Sequence, residues 1–136
     1  MSEFRKVTED FSVAPQITPD DIAAAADQGF VLVINNRPDG EAPDQPTGAQ
    51  MAAAARAAGV AYAHIPVRGG PTPEQVEAVR AAIAEAEGPV LAFCRSGTRS
   101  IITWSLGQAG SGARDRGELA RLGQAAGYDL SGVLGV

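Results

Sequence analysis

This chain carries one cysteine and one histidine, few aromatic side chains, no long apolar run and no excess of basic residues. Each scarcity excludes something. A lone cysteine, Cys94, cannot close an intrachain disulfide, and the opening MSEFRKVTEDF has no apolar core after its basic residues, so it does not read as a signal peptide. Together these point to the reducing cytoplasm. A single histidine, His64, far from Cys94 in sequence, leaves no ligand set for a metal, and no cofactor is implied. No apolar stretch approaches the roughly eighteen residues of a membrane span, so no membrane partner is expected. A formal charge of −5, a pI near 4.7 and only 5% aromatic residues argue against a nucleic-acid partner, which calls for basic patches and stacking platforms.

What is present is the composition of an ordinary globular domain, 45% hydrophobic and 20% charged over 136 residues. That length is most simply one catalytic domain, 1–136, with enough chain for a two-sided core. Strand-like and helix-like segments alternate along it. Phe11–Ala14 reads as a short strand. In "QITPDDIAAAADQG" Thr18 is an N-cap, Pro19 opens the helix, acids fill its first turn and Gly29 closes it. "FVLVIN" (30–35) is an apolar run of strand length, the mark of a strand covered on both faces.

The turn-rich "RPDGEAPDQP" follows, then a helix over 47–58 that stops at Gly59. The alanine-rich part of that helix, 50–58, can pack on the sheet or on a second subunit, which leaves the oligomeric state open. "VAYAHIPV" is the next strand, Thr72 caps a helix over 73–86, and "GPVLAF" (88–93) is another buried strand. Helices over 100–108 and 117–126 and a short terminal turn or helix over 130–136 complete the chain. Such alternation implies βαβ units and an α/β fold: a three-layer sandwich with a mainly parallel sheet of four to five strands and helices on both faces. Ligands of such sheets bind beyond the carboxyl ends of the strands, and Cys94 stands at one of those ends.

Cys94 opens "CRSGTRS" between that strand and the next helix. The backbone amides of 95–100 can curl toward a common centre with the positive end of the helix dipole behind them, and Gly97 permits the backbone angles a tight cradle needs. Arg95, Ser96, Gly97 and Thr98 then form an anion-binding loop that favours the thiolate form of Cys94. Arg99 can grip a bound oxyanion with its planar fork, and Ser100 can donate a hydrogen bond to the sulfur. Catalytic roles fall to Cys94, Arg99 and Ser100. The alternative is an inert buried thiol, since cysteine is among the most buried residues. The neighbouring arginines and the Ser-Gly turn favour the reactive site, although Arg95 itself can equally point to solvent.

Four stretches, "QITPDDI", "VINNRPDGE" with the following "DQP", "HIPV" and "PVLAFCRSGTRS", resemble the bacterial phosphatase-like family (DUF442) found alone or fused to a beta-lactamase-like hydrolase. That family is a branch near the dual-specificity protein tyrosine phosphatases, and the resemblance spans nearly the whole chain. It implies a cysteine-phosphatase-like fold with Cys94 as nucleophile and Arg99 as the anion-binding arginine. The usual phosphatase loop has five residues between cysteine and arginine; Arg95, Ser96, Gly97 and Thr98 are four, the length of many rhodaneses, whose loop holds a persulfide sulfur.

A phosphatase also needs a general acid. Dual-specificity relatives carry an aspartate soon after the strand that corresponds to "HIPV", where this chain has Arg68, and Phe93 stands where tyrosine phosphatases usually have histidine. Asp39, Glu41 and Asp44 are candidate substitutes and otherwise solvated turn residues. Arg37 can add a second positive arm or pair at the surface with Asp39 or Glu41. Arg37, Asp39 and Arg68 are therefore candidate site-lining residues, while His64 reads as a packing or hydrogen-bonding residue rather than a base. Three functions follow, each with a small anionic, phosphorylated or persulfidated partner. They are a cysteine-dependent phosphatase-like hydrolase forming a thiophosphate at Cys94, a rhodanese-like sulfurtransferase forming a Cys94 persulfide, and a non-catalytic anion- or partner-binding module.

Overall fold

In the computed structural model, which describes residues 3–136, the apolar runs of the sequence become the centre of one sheet. Its strands are β1 (Arg5–Thr8), β2 (Phe11–Ala14), β3 (Leu32–Asn35), β4 (Ala61–His64) and β5 (Val90–Phe93), in the order β1-β2-β5-β3-β4. β2, β5, β3 and β4 run parallel, and β1 lies antiparallel on the edge beside β2. β1 has no counterpart in the sequence-based expectation. Its RKVT stretch is half charged and only Val7 is buried, and pairing across the tight turn to β2 defines it.

Among the described residues six helices flank the sheet: α1 (Pro19–Asp27), α2 (Gly48–Ala58), α3 (Pro73–Glu85), α4 (Thr98–Gly110), α5 (Arg116–Ala125) and α6 (Ser131–Leu134). Thr18, Thr47 and Thr72 each close a capping box: the threonine side chain accepts the N3 amide, and the N3 side chain (Asp21, Gln50, Gln75) accepts the threonine amide. Successive strand residues face opposite layers. Val33, Leu91 and Phe93 pack with Ile22 and Ala25 of α1 and with Met51 and Ala55 of α2, so the alanine-rich helix covers this chain's own sheet. Leu32, Ile34, Val90 and Ala92 pack with Val79 of α3, Ile101 and Trp104 of α4 and Leu119 of α5. Among the described residues no helix is long and apolar enough to cross a membrane.

Strand register positions the site. Phe93, the last residue of β5, lies opposite Ala14 of β2 and Asn35 of β3. The segments leaving β2, β3 and β5 therefore emerge side by side at the carboxyl edge, with Cys94 in the middle. α4 starts at Thr98, earlier than expected, because Gly97 in the left-handed region (φ 92) turns the chain straight into the helix. Arg99 stands in the first turn of α4 as a result.

Candidate active site

The buried Cys94 directly follows β5, and the chain turns through Arg95, Ser96 and Gly97 into α4. The Gly97 amide donates to the Cys94 Sγ at 3.1 Å. The loop is held to its surroundings by two carbonyls: Arg95 O accepts the Gln16 amide at 3.1 Å, and Ser96 O accepts the Tyr128 hydroxyl at 2.8 Å. The first turn of α4 adds amides that have no intrahelical acceptor, beside the positive end of its dipole. Thiol, Gly97 amide and helix start thus lie together at the end of β5, an arrangement suited to an anion.

Arg99 reaches over this loop and is held from the far side. Its Nη1 donates to Glu41 Oε2 and to Val67 O, both at 2.8 Å, and its Nη2 donates to Glu41 Oε1 at 2.8 Å. Glu41 Oε1 also accepts from Arg37 Nε at 2.9 Å, and Arg37 Nη1 donates to Gln16 Oε1 at 3.1 Å. One carboxylate therefore bridges two guanidiniums, and the site keeps a surplus of positive charge. The hydrogen bonds from Arg99 first, and then from Arg37, outweigh burial and hold the Glu41 carboxyl down at about 2. Arg99 is pushed above its ordinary value, by Glu41 first and also by Cys94. A guanidinium has five N–H donors. Glu41 and Val67 use three of them, and Cys94 acts on the same guanidinium by charge and hydrogen bond, so Arg99 stands beside the sulfur.

Several expected roles change. The single hydroxyl proton of Ser100 goes to Asn36 Oδ1 at 2.8 Å rather than to the sulfur, while Asn36 Nδ2 donates to Ile65 O at 2.9 Å. Ser100 thereby ties α4 to the segment after β3. Asp39 accepts the Gly48 amide at 2.8 Å and serves the start of α2. Arg68 is exposed, and the backbone carbonyl of Val67 before it is what reaches Arg99. Arg95 is exposed as well, and Ser96 and Thr98 join their hydroxyls at 2.9 Å on the outside of the loop. Arg37 pairs with Glu41, from a buried position (5% exposed) instead of the surface, and Asp39 is not its partner. His64 Nε2 lies 2.9 Å from Arg37 O, a hydrogen-bonding role. Gln16, Asn36 and Tyr128 escaped the sequence-based reading. Of these only Asn36 left a signal, an amide directly after a buried strand, where a polar group must find partners.

Residues 3–111 match the family described as beta-lactamase hydrolase-like protein, phosphatase-like domain. A beta-lactamase hydrolase-like protein of Agrobacterium fabrum is 40% identical over 126 residues, which is 92% of this chain and 29% of that protein. The chain thus spans under a third of the curated relative it matches. A solved structure from Neisseria meningitidis, whose own phosphatase assignment is provisional, is 37% identical with a TM-score of 0.83, covering 96% of this chain and 92% of that one. The structure of Tk-PTP in its active form, at 18% identity, TM-score 0.72 and coverage of 93% and 86%, shares the fold. Sheet order, cysteine loop and these likenesses agree, and the chain belongs to the phosphatase-like domain family of the beta-lactamase hydrolase-like proteins.

Proposed function

We propose that this chain is a cysteine-dependent phosphatase-like hydrolase acting on a small phosphoester. The observation that carries the reading is the convergence of the Cys94 sulfur, the Gly97 amide 3.1 Å from it and the Arg99 guanidinium, which the sulfur acts on directly, at the end of a central parallel strand. The thiolate attacks phosphorus in line, an S–P bond forms, and the P–O bond to the leaving group breaks. Loop amides and Arg99 hold the equatorial oxygens as their charge shifts. Water then cleaves the thiophosphate, releasing inorganic phosphate and restoring the thiolate. None of the three carboxylates of the loop after β3 is set up as general acid: Glu41 is held ionised, Asp39 accepts the Gly48 amide, and Asp44 is exposed. The leaving oxygen is then protonated by water, which favours aryl over alkyl phosphates.

The same observation favours a second reading. Sulfur transfer needs no acid: the thiolate takes the outer sulfur of thiosulfate, sulfite leaves as a stable anion, and a thiolate acceptor removes the sulfur from the Cys94 persulfide. The four-residue loop suits this smaller cargo. Parent protein and its Cys94→Ser variant, given an aryl phosphate and separately thiosulfate with a thiol acceptor, separate the two. Phosphate release that is lost in C94S supports the hydrolase. Sulfite release without phosphate release overturns it in favour of sulfur transfer, and silence in both assays leaves an anion-binding module.

A further inference from the structure

We propose that Tyr128 is a positioning residue for the reactive loop, fixing the Ser96–Gly97 peptide so that its amide stays aimed at Cys94. This rests on Cys94 being the nucleophile. Both ends of that one peptide unit are engaged: its carbonyl accepts the Tyr128 hydroxyl at 2.8 Å, and its N–H donates to Cys94 Sγ at 3.1 Å. The bond is trans and planar, with C=O and N–H pointing in opposite directions, so holding the oxygen outward holds the hydrogen inward. Without the hydroxyl the unit can rotate, because it adjoins Gly97, a residue free to leave φ 92 for other regions.

Glycine at 97 also makes room for the contact. A Cβ there would overlap the Tyr128 hydroxyl and come within 3.0 Å of Cζ. The phenol is itself fixed from behind. Tyr128 is buried in the layer of α4 and α5, with the Arg5 guanidinium of β1 5.2 Å from its ring centre. The charged and titratable groups that act on it are Arg5, Glu3 and Cys94; burial outweighs the pull of Arg5 and pushes the phenol up, so it stays a donor at neutral pH. Tyr128 lies beyond residues 3–111, the part matched by the family, so the segment after α4 completes the site.

The test compares Tyr128→Phe and Tyr128→Leu with the parent. Phenylalanine keeps the ring and its packing and removes only the donor, and thermal unfolding verifies that each variant is folded. Alkylation of Cys94 by iodoacetamide, followed against pH, reads the sulfur's environment without requiring any turnover. In Y128F the midpoint of that profile should move to higher pH, Gly97 amide hydrogen exchange should quicken, and kcat on the aryl phosphate or thiosulfate should fall about fivefold with KM little changed. A Y128F variant matching the parent in profile and exchange, with only Y128L impaired, would reduce Tyr128 to packing and overturn the proposal. A parent that alkylates normally but turns over neither substrate fails the functional reading alone.

Discussion

Replacing Glu41 with glutamine removes the charge that Arg37 and Arg99 share while keeping the side chain's shape. The carboxyl falls from an ordinary 4.5 to about 2 through its hydrogen bonds with Arg99 and then Arg37. That fall is equivalent to about 3 kcal/mol if unscreened. The Glu41 side chain is 27% exposed, and solvent screening reduces this to on the order of 1 kcal/mol. For a domain of this size the loss is a Tm lower by about 4 °C. The pH dependence has a definite sign. The folded state binds this proton more weakly than the unfolded chain, so the stabilisation is complete above 4.5 and disappears as pH falls through about 2. Thermal unfolding of parent and E41Q by circular dichroism should show the full gap near neutrality, closing across that acid window. A gap absent at neutral pH, or one undiminished in acid, would refute the account of a shared counter-ion. Activity should fall as well, about tenfold to a hundredfold in kcat/KM, because the fork of Arg99 loses its orientation.

Arg99→Lys offers one ammonium where the site uses both Nη atoms to hold Glu41 and Val67. Steady-state kinetics should show kcat/KM lower by about a hundredfold or more, and a loss within threefold would argue against bidentate anion binding. Gly97→Ala forces a side chain into the left-handed region, against the Tyr128 hydroxyl. It should cost at least about 2 kcal/mol, read as a Tm drop of more than about 5 °C, and the drop should shrink in the Y128F background. Purely additive effects would show that the two residues do not press on one another.

Much of the fold was legible because it rests on local rules. Thr18 and Thr72 marked helix caps and Thr47 the start of a helix, and the structure closes all three as capping boxes. Apolar runs marked β3 and β5, and Phe11–Ala14 reads as the short strand that is β2; each is buried along its whole length. β1 was not legible, since its order comes from pairing with β2 rather than from its own composition. The reactive loop was legible in residue types. Its supports were not, because they come from remote positions: Glu41 is 58 residues from Arg99, Asn36 is 64 from Ser100, and Tyr128 is 32 from Ser96.

Local sequence by itself determined the strand that leads to a thiol, the glycine that lets the chain turn there, and the presence of a helix after it. These depend on propensities and backbone angles of neighbouring residues, which no distant contact needs to supply. Only the tertiary structure decided where each polar side chain spends its hydrogen bonds. It sent the Ser100 proton to Asn36, took Asp39 to the start of α2, and drew Arg37 and Arg99 onto one carboxylate. The physical reason is competition: a donor or acceptor bonds to whichever partner the packed sheet edge brings within about 3 Å, and parallel register sets that proximity.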